Sequence, residues 1–170
     1  MPTRLLSRLG TYRSDLTPIT RHAGGENGLS TTLLEVVTPE RMLLSEDVNM
    51  IIIRTGGGEL GILPRHTALA ATVKPGVIEV RFPDGEDFIH TTGGFLQVLP
   101  DKITILADAA ELASQIDLER AERAKTRAEQ RLNQRDSIDV ARAEMALQRA
   151  LNRIETAQRA HQPGTRVTNR

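Results

Sequence analysis

At about Ala109 the hydrophobic pattern of this 170-residue chain changes its period. Before that point apolar residues gather in short β-prone runs punctuated by Gly and Pro. After it they return every three or four residues. A chain that alternates first and then follows the helical repeat must build a sheet region and, separately, helices. That pattern predicts an α+β fold and argues against alternating parallel α/β units.

The strand region is dense with punctuation. Leu33–Val37, Val48–Ile53 and Ala68–Val73 are β-prone runs separated by Thr38-Pro39-Glu40, Gly56-Gly57-Gly58 and Lys74-Pro75-Gly76. Ile78, Val80 and Phe82 alternate with Glu79 and Arg81, as a half-buried strand does. Pro83-Asp84-Gly85 supplies turn chemistry, and Phe88–Thr91 returns as the hairpin partner. Phe95–Leu99 and Lys102–Leu106 form another hairpin across Pro100-Asp101. Strands this short and this close together predict a β-sandwich of two antiparallel sheets, or a flattened barrel, over residues 32–110.

Residues 111–160 read as an antiparallel α-helical hairpin. Ala121, Ala124, Ala128 and Leu132 form one apolar stripe. Val140, Ala143, Leu147, Ala150, Leu151, Ile154 and Ala157 form a second. Ser114 is a candidate N-cap with Asp117 three residues on, and Asp136 or Ser137 is a candidate cap for the second helix. A turn of ~4 residues joins the two helices, and Pro163-Gly164 lies beyond the second. Alanine along both stripes lets the helix axes approach but buries little area, so the hairpin is expected to be movable. Residues 161–170 read as a flexible tail.

Composition narrows the function classes. Aromatics make up 2% of the chain, so the core must be Ile, Val, Leu and Ala. Net charge is +0, which gives no general attraction to nucleic acid or anionic lipid, and no run nears the ~18 apolar residues that span a bilayer. The absence of cysteine removes disulfides, thiolate zinc sites and cysteine nucleophiles. His22, His66, His90 and His161 share no metal-ligand spacing, and no nucleophile elbow or Walker pattern occurs. The chain is expected not to be an enzyme. Residues 1–31 stand apart as an Arg- and Ser-bearing extension, poor in acids. A disordered tail, a wrongly chosen upstream start and an organelle targeting segment all suit that composition.

Gly58-Glu59-Leu60-Gly61-Ile62-Leu63-Pro64-Arg65-His66-Thr67-Ala68-Leu69 has the glycines of a phosphate loop without its other parts. No Gly-Lys-Ser/Thr follows, and Pro64 removes a donor and disfavours helix at Leu63. The stretch resembles instead the signature loop of the epsilon subunit of the rotary ATP synthase. The resemblance continues through Lys74–Ile78, Gly93–Val98, Lys102–Asp108 and Ile116–Ala121, and covers roughly Leu33 to Gln158. It implies a two-sheet sandwich and a peripheral position on the cytoplasmic face of the bacterial plasma membrane. The implied partners are the gamma subunit, the c-ring and the beta subunits. Glu59 and His66 would lie at the c-ring and gamma contact.

The helical arginines carry the remaining signal. Arg120 and Arg127 are seven residues apart and Arg149 and Arg153 are four apart, so each pair shares a helix face. Folded back on each other, the two pairs could converge on one anion, a task for which the forked guanidinium is suited. Most other arginines read as a solvated face interleaved with Glu119, Glu122 and Glu129. Ile116-Asp117-Leu118-Glu119-Arg120-Ala121 is similar to the Ile/Leu-Asp-x-x-Arg-Ala motif of ATP-binding bacterial epsilon subunits. By that resemblance Glu111 and Asp117 would serve the adenine and ribose end of ATP, with Arg120, Arg127, Arg149 and Arg153 on the phosphates. ATP would be a regulatory ligand and no cofactor is required. The function implied is coupling and regulation within the central stalk, with inhibition of hydrolysis by the extended hairpin. A stand-alone nucleotide-sensing adaptor is the alternative.

Overall fold

The computed structural model describes residues 30–133 and 139–166. Nearly all of the expected N-terminal extension lies outside these residues, as do Asp136 and Ser137. Ten strands come first: β1 (Thr32–Val37), β2 (Met42–Val48), β3 (Met50–Thr55), β4 (Gly58–Ile62), β5 (Leu69–Val73), β6 (Gly76–Phe82), β7 (Gly85–Thr91), β8 (Gly94–Leu99), β9 (Lys102–Ala107) and β10 (Ala110–Leu112). The run Val48–Ile53 is therefore two strands that part at Asn49. The polar Ser45-Glu46-Asp47 of β2 hid the first of them.

Hydrogen bonding follows the order β10-β7-β6-β3-β5-β8-β9-β1-β2, with β4 added to β3. Only the pair Thr55 and Val73 joins β3 to β5, so the path folds into two layers there. Across the layers β2 packs on β6 and β10, which makes the sandwich nearly a barrel. One pairing departs from the antiparallel expectation. β1 runs parallel to β9, with Leu34 opposite Ile103 and Val36 opposite Ile105. The chain between them is long enough for strands to run the same way, which a tight hairpin cannot achieve.

Alternation puts aliphatic side chains between the layers. Leu34, Val36, Ile51, Ile53, Ile78, Ile89, Leu96, Ile103 and Ile105 are all buried there. This is the aromatic-poor core that the composition required. Gly94 shows how closely the strands pack. It has φ +139°, and a Cβ there would overlap the Leu106 carbonyl oxygen.

The helical region starts later than residue 111. Ala110–Leu112 is strand because it pairs with Ile89–Thr91 of β7, and a 3-10 turn at Ala113–Gln115 follows. Helix α1 spans Leu118–Asn133 and α2 spans Val140–Arg159. Ser114 is not the cap, because it lies inside the 3-10 turn. Asp117 holds that place, its Oδ1 accepting from the Arg120 amide at 2.9 Å. Asp139 caps α2 in the same way, accepting from the Arg142 amide at 3.0 Å. The expected turn between the helices falls on residues 134–138, outside the described residues.

The stripes partly hold. Ala121, Ala128, Ala143, Ala150, Ile154 and Ala157 are buried, whereas Val140 and Leu151 are exposed. The face of α2 toward the sandwich also buries Asn152 and Thr156, with the Thr156 hydroxyl donating to the Asn152 carbonyl at 2.7 Å. Arg159 adds an ion-pair contact to Glu79 at 3.9 Å and lies 5.6 Å from the Phe88 ring. The hairpin is thus docked on β6 and β7 through a mixed rather than a purely apolar surface. Of the expected tail, residues 167–170 lie outside the described residues. Residues 161–166 turn back onto the sandwich, where Arg166 pairs with Glu46 at 3.0 Å and Asp84 at 3.1 Å.

Candidate functional site

The alanines that let α1 and α2 approach also leave space above them. Ala121, Ala124 and Ala128 on α1 and Ala143, Ala146 and Ala150 on α2 floor a cleft of about 410 Å³. Its walls are the longer side chains at the next helical positions. Arg120, Arg127 and Arg131 line it from α1, and Arg149 and Arg153 from α2. Glu111 of β10 and Asp117 of the α1 cap close one end. All six residues singled out for nucleotide contact are therefore brought together. Arg131 is a seventh charged lining residue, missed because it read as part of the solvated face, although its spacing of four from Arg127 places it on the same side.

Five arginines face two carboxylates, a surplus of three positive charges (5 − 2) in a concave site. Such a site attracts and orients a polyanion.

Glu111 and Arg153 form a bidentate pair, with Nε to Oε2 at 2.9 Å and Nη2 to Oε1 at 3.0 Å. That hydrogen bonding from Arg153 holds the Glu111 carboxyl below its ordinary range, against the opposing effect of burial, and the charges of Arg153 and Arg120 push the same way. The pair joins α2 to the edge strand of the sandwich, so one wall of the cleft is also a tie between hairpin and sheet. A carboxylate oxygen can accept a second hydrogen bond, so Glu111 keeps acceptor capacity toward a ligand. Asp117 likewise gives one oxygen to the helix cap and keeps the other.

Beneath this pair lies His90 of β7, opposite Glu111 in the β7–β10 register and 0% exposed. Neither of its ring nitrogens makes a well-aligned protein hydrogen bond, although the Gly76 backbone is near enough to favour the protonated form slightly. Burial, reinforced by the Arg153 charge and only partly offset by Glu111, lowers its pKa to about 4. The imidazole is therefore neutral at pH 7. Sequence reading gave it no role because nothing in its flanking residues announces that a helix covers it.

Glu59 and His66 sit elsewhere. Glu59 is exposed on β4 opposite Arg54, and His66 is half-buried in the β4–β5 loop, its Nδ1 2.8 Å from the Thr67 carbonyl. Neither lines the cleft. A second surface was not expected: Phe95 (64% exposed) and Leu106 (54%) are cross-strand partners on the outer face of β8 and β9. Half-buried Val37 pairs with Leu106 from the other side. No helix among the described residues is long and apolar enough to cross a membrane.

A sandwich followed by a helical hairpin whose cleft gathers arginines defines a class, and comparison with known proteins agrees. Residues 31–113 match the ATP synthase delta/epsilon chain β-sandwich domain, and residues 114–158 match the long α-helix domain of the same chain. The chain belongs to the ATP synthase delta/epsilon family, as a chain of epsilon type. It is 47% identical over 133 residues to the ATP synthase epsilon chain of Halalkalibacterium halodurans, covering 77% of this chain and all of that one. It is 48% identical over 130 residues to the epsilon chain of Desulforamulus reducens, covering 75% of this chain and 98% of that one. Among solved structures it resembles a chain of the Euglena gracilis mitochondrial ATP synthase, determined with OSCP, F1 and c-ring. The TM-score is 0.65 and the identity 25%, over 80% of this chain and 87% of that chain. A chain of the Tetrahymena thermophila central stalk and c-ring shares the fold, with a TM-score of 0.51 at 16% identity over 78% of this chain and 98% of that one.

Proposed function

We propose that this chain is a regulatory and coupling subunit of the ATP synthase central stalk, non-catalytic in itself. The sandwich docks on the gamma subunit and meets the c-ring, with Glu59 and His66 at that contact and the Phe95–Leu106 patch as apolar docking area. The complex holds it at the cytoplasmic face of the bacterial membrane. The hairpin has two working positions. Folded on the sandwich, it binds ATP. Extended along gamma, it reaches the beta subunits and restrains hydrolysis.

The observation that carries this reading is the convergence of Glu111, Asp117, Arg120, Arg127, Arg149 and Arg153 on one cleft between the two helices. Glu111 and Asp117 serve the base and ribose, and the arginines farther along the helices take the phosphates. Only the folded hairpin assembles these residues, so ATP favours that form by its differential affinity and by no more than that. At a concentration a hundredfold above Kd the bias is about 2.7 kcal/mol.

Titration of ATP into the full chain tests the ligand. Saturable one-to-one binding is expected, with a thermal midpoint that climbs as ATP is added. A midpoint that does not move even at millimolar ATP would remove the nucleotide from this account.

A further inference from the structure

Helix α2 does not end in solvent. Beyond Arg159 the chain reverses through Pro163 and Gly164, whose φ of +95° suits only glycine well. The reversal is closed by the Thr165 amide donating to the Gln162 carbonyl at 3.3 Å and the Thr165 hydroxyl donating to the Arg159 carbonyl at 3.2 Å.

Residues 164–166 then run beside the start of β7. The Glu86 amide donates to the Gly164 carbonyl at 3.1 Å, and the Arg166 amide donates to the Glu86 carbonyl at 2.7 Å. The Arg166 guanidinium lies 4.1 Å above the Phe82 ring and pairs with Glu46 of β2 and Asp84 of the β6–β7 turn. Gly85 makes room for this crossing, since a Cβ there would sit 2.9 Å from the Gly164 carbonyl oxygen and 3.0 Å from the Arg166 Cγ. Backbone, ion-pair and cation–π contacts thus fasten one short segment to both layers of the sandwich. The segment lies beyond the family match, which ends at residue 158.

We propose that residues 160–166 are a latch that holds the hairpin folded, and that release of Arg166 must precede full extension of α2. The inference rests on the two-position hairpin above. Four residues, 160–163, separate α2 from the fastened segment, and fully extended they reach about 14 Å. A larger displacement of the helix end must pull the latch off. Arg166 and Glu46 are largely sheltered, so salt screens their pair less than it screens a surface bridge.

The native chain has no cysteine, so two can be introduced for spin labels without interference. With labels at the exposed positions Gln97 on β8 and Gln158 on α2, the distance distribution reports the hairpin directly. Arg166→Glu in the full chain, and a chain ending at Gln162, are each expected to raise the long-distance population about tenfold. The same variants should slow ATP hydrolysis more strongly than the native chain when assembled with the catalytic complex. Unchanged distance distributions in both variants would overturn the latch. Longer distances without any added inhibition would keep the latch and contradict the brake, so the two ideas fail separately.

Discussion

Replacing Arg127 and Arg149 together with glutamate is expected to weaken ATP binding by about two to four orders of magnitude. Each guanidinium contributes charge-assisted hydrogen bonds of about 1.5–3 kcal/mol to a phosphate, and two such losses set that range. Reversing the sign adds repulsion on top. The cleft begins with five arginines and two carboxylates, so the double change takes a surplus of three positive charges to a deficit of one (3 − 4). Arg123→Glu is the control. Arg123 is on the outer face of α1, paired with Glu119 at 3.2 Å, and does not line the cleft. It should leave the affinity nearly unchanged, whereas an equal loss in both proteins would mean that only net charge matters. The readout is the dissociation constant by calorimetry, at fixed ionic strength because salt screens exposed charge.

The second large effect concerns acid stability. His90 has a folded pKa of about 4 against 6.5 for the free side chain. Between those values the unfolded chain binds a proton that the folded chain refuses, so stability falls as pH drops through this window. A shift of that size corresponds to something on the order of 3 kcal/mol between pH 7 and pH 4. Glu111 acts lower on the scale. Its folded pKa is depressed, so its contribution is intact above the unfolded value and is lost only as pH falls through the folded one. His90→Leu removes two buried nitrogens that make no well-aligned hydrogen bond. Its stability at pH 7 should equal or exceed that of the native chain, and the loss between pH 6.5 and pH 4 should largely vanish. Urea unfolding across that range measures both. A variant that retains the full slope would place the proton on another group.

The arrangement around His90 also shows where sequence reading stops. The period change near Ala109, the alternation of Ile78, Val80 and Phe82, and the alanine stripes each reflect a local repeat, and each became the expected element. Arginine convergence was legible for the same reason, since spacings of four and seven put residues on one helix face whatever the helix packs against. Other features were not legible. β2 carries Ser45, Glu46 and Asp47, so its apolar signal is too thin to stand out. β10 is three residues long, and only its pairing with β7 makes it a strand. His90, Asn152 and Thr156 look polar and exposed until α2 lies over the sheet. Ser114 read as the cap with Asp117 as its capping-box acid, whereas α1 begins beyond the 3-10 turn and Asp117 itself is the cap. Arg166 read as tail because its partners are far away in sequence, at Glu46, Asp84 and Phe82.

Whether the hairpin restrains hydrolysis is decided by one titration. The full chain and a chain cut after Leu112 are each added to a catalytic hexamer that carries gamma but lacks its epsilon subunit, and the ATPase rate is followed. The cut retains all ten strands and the apolar core between them. Inhibition by the full chain, relieved at high ATP and absent with the shortened chain, is the predicted result. Two forms that both bind and leave the rate equally untouched would contradict it, and would leave a coupling clamp with no brake.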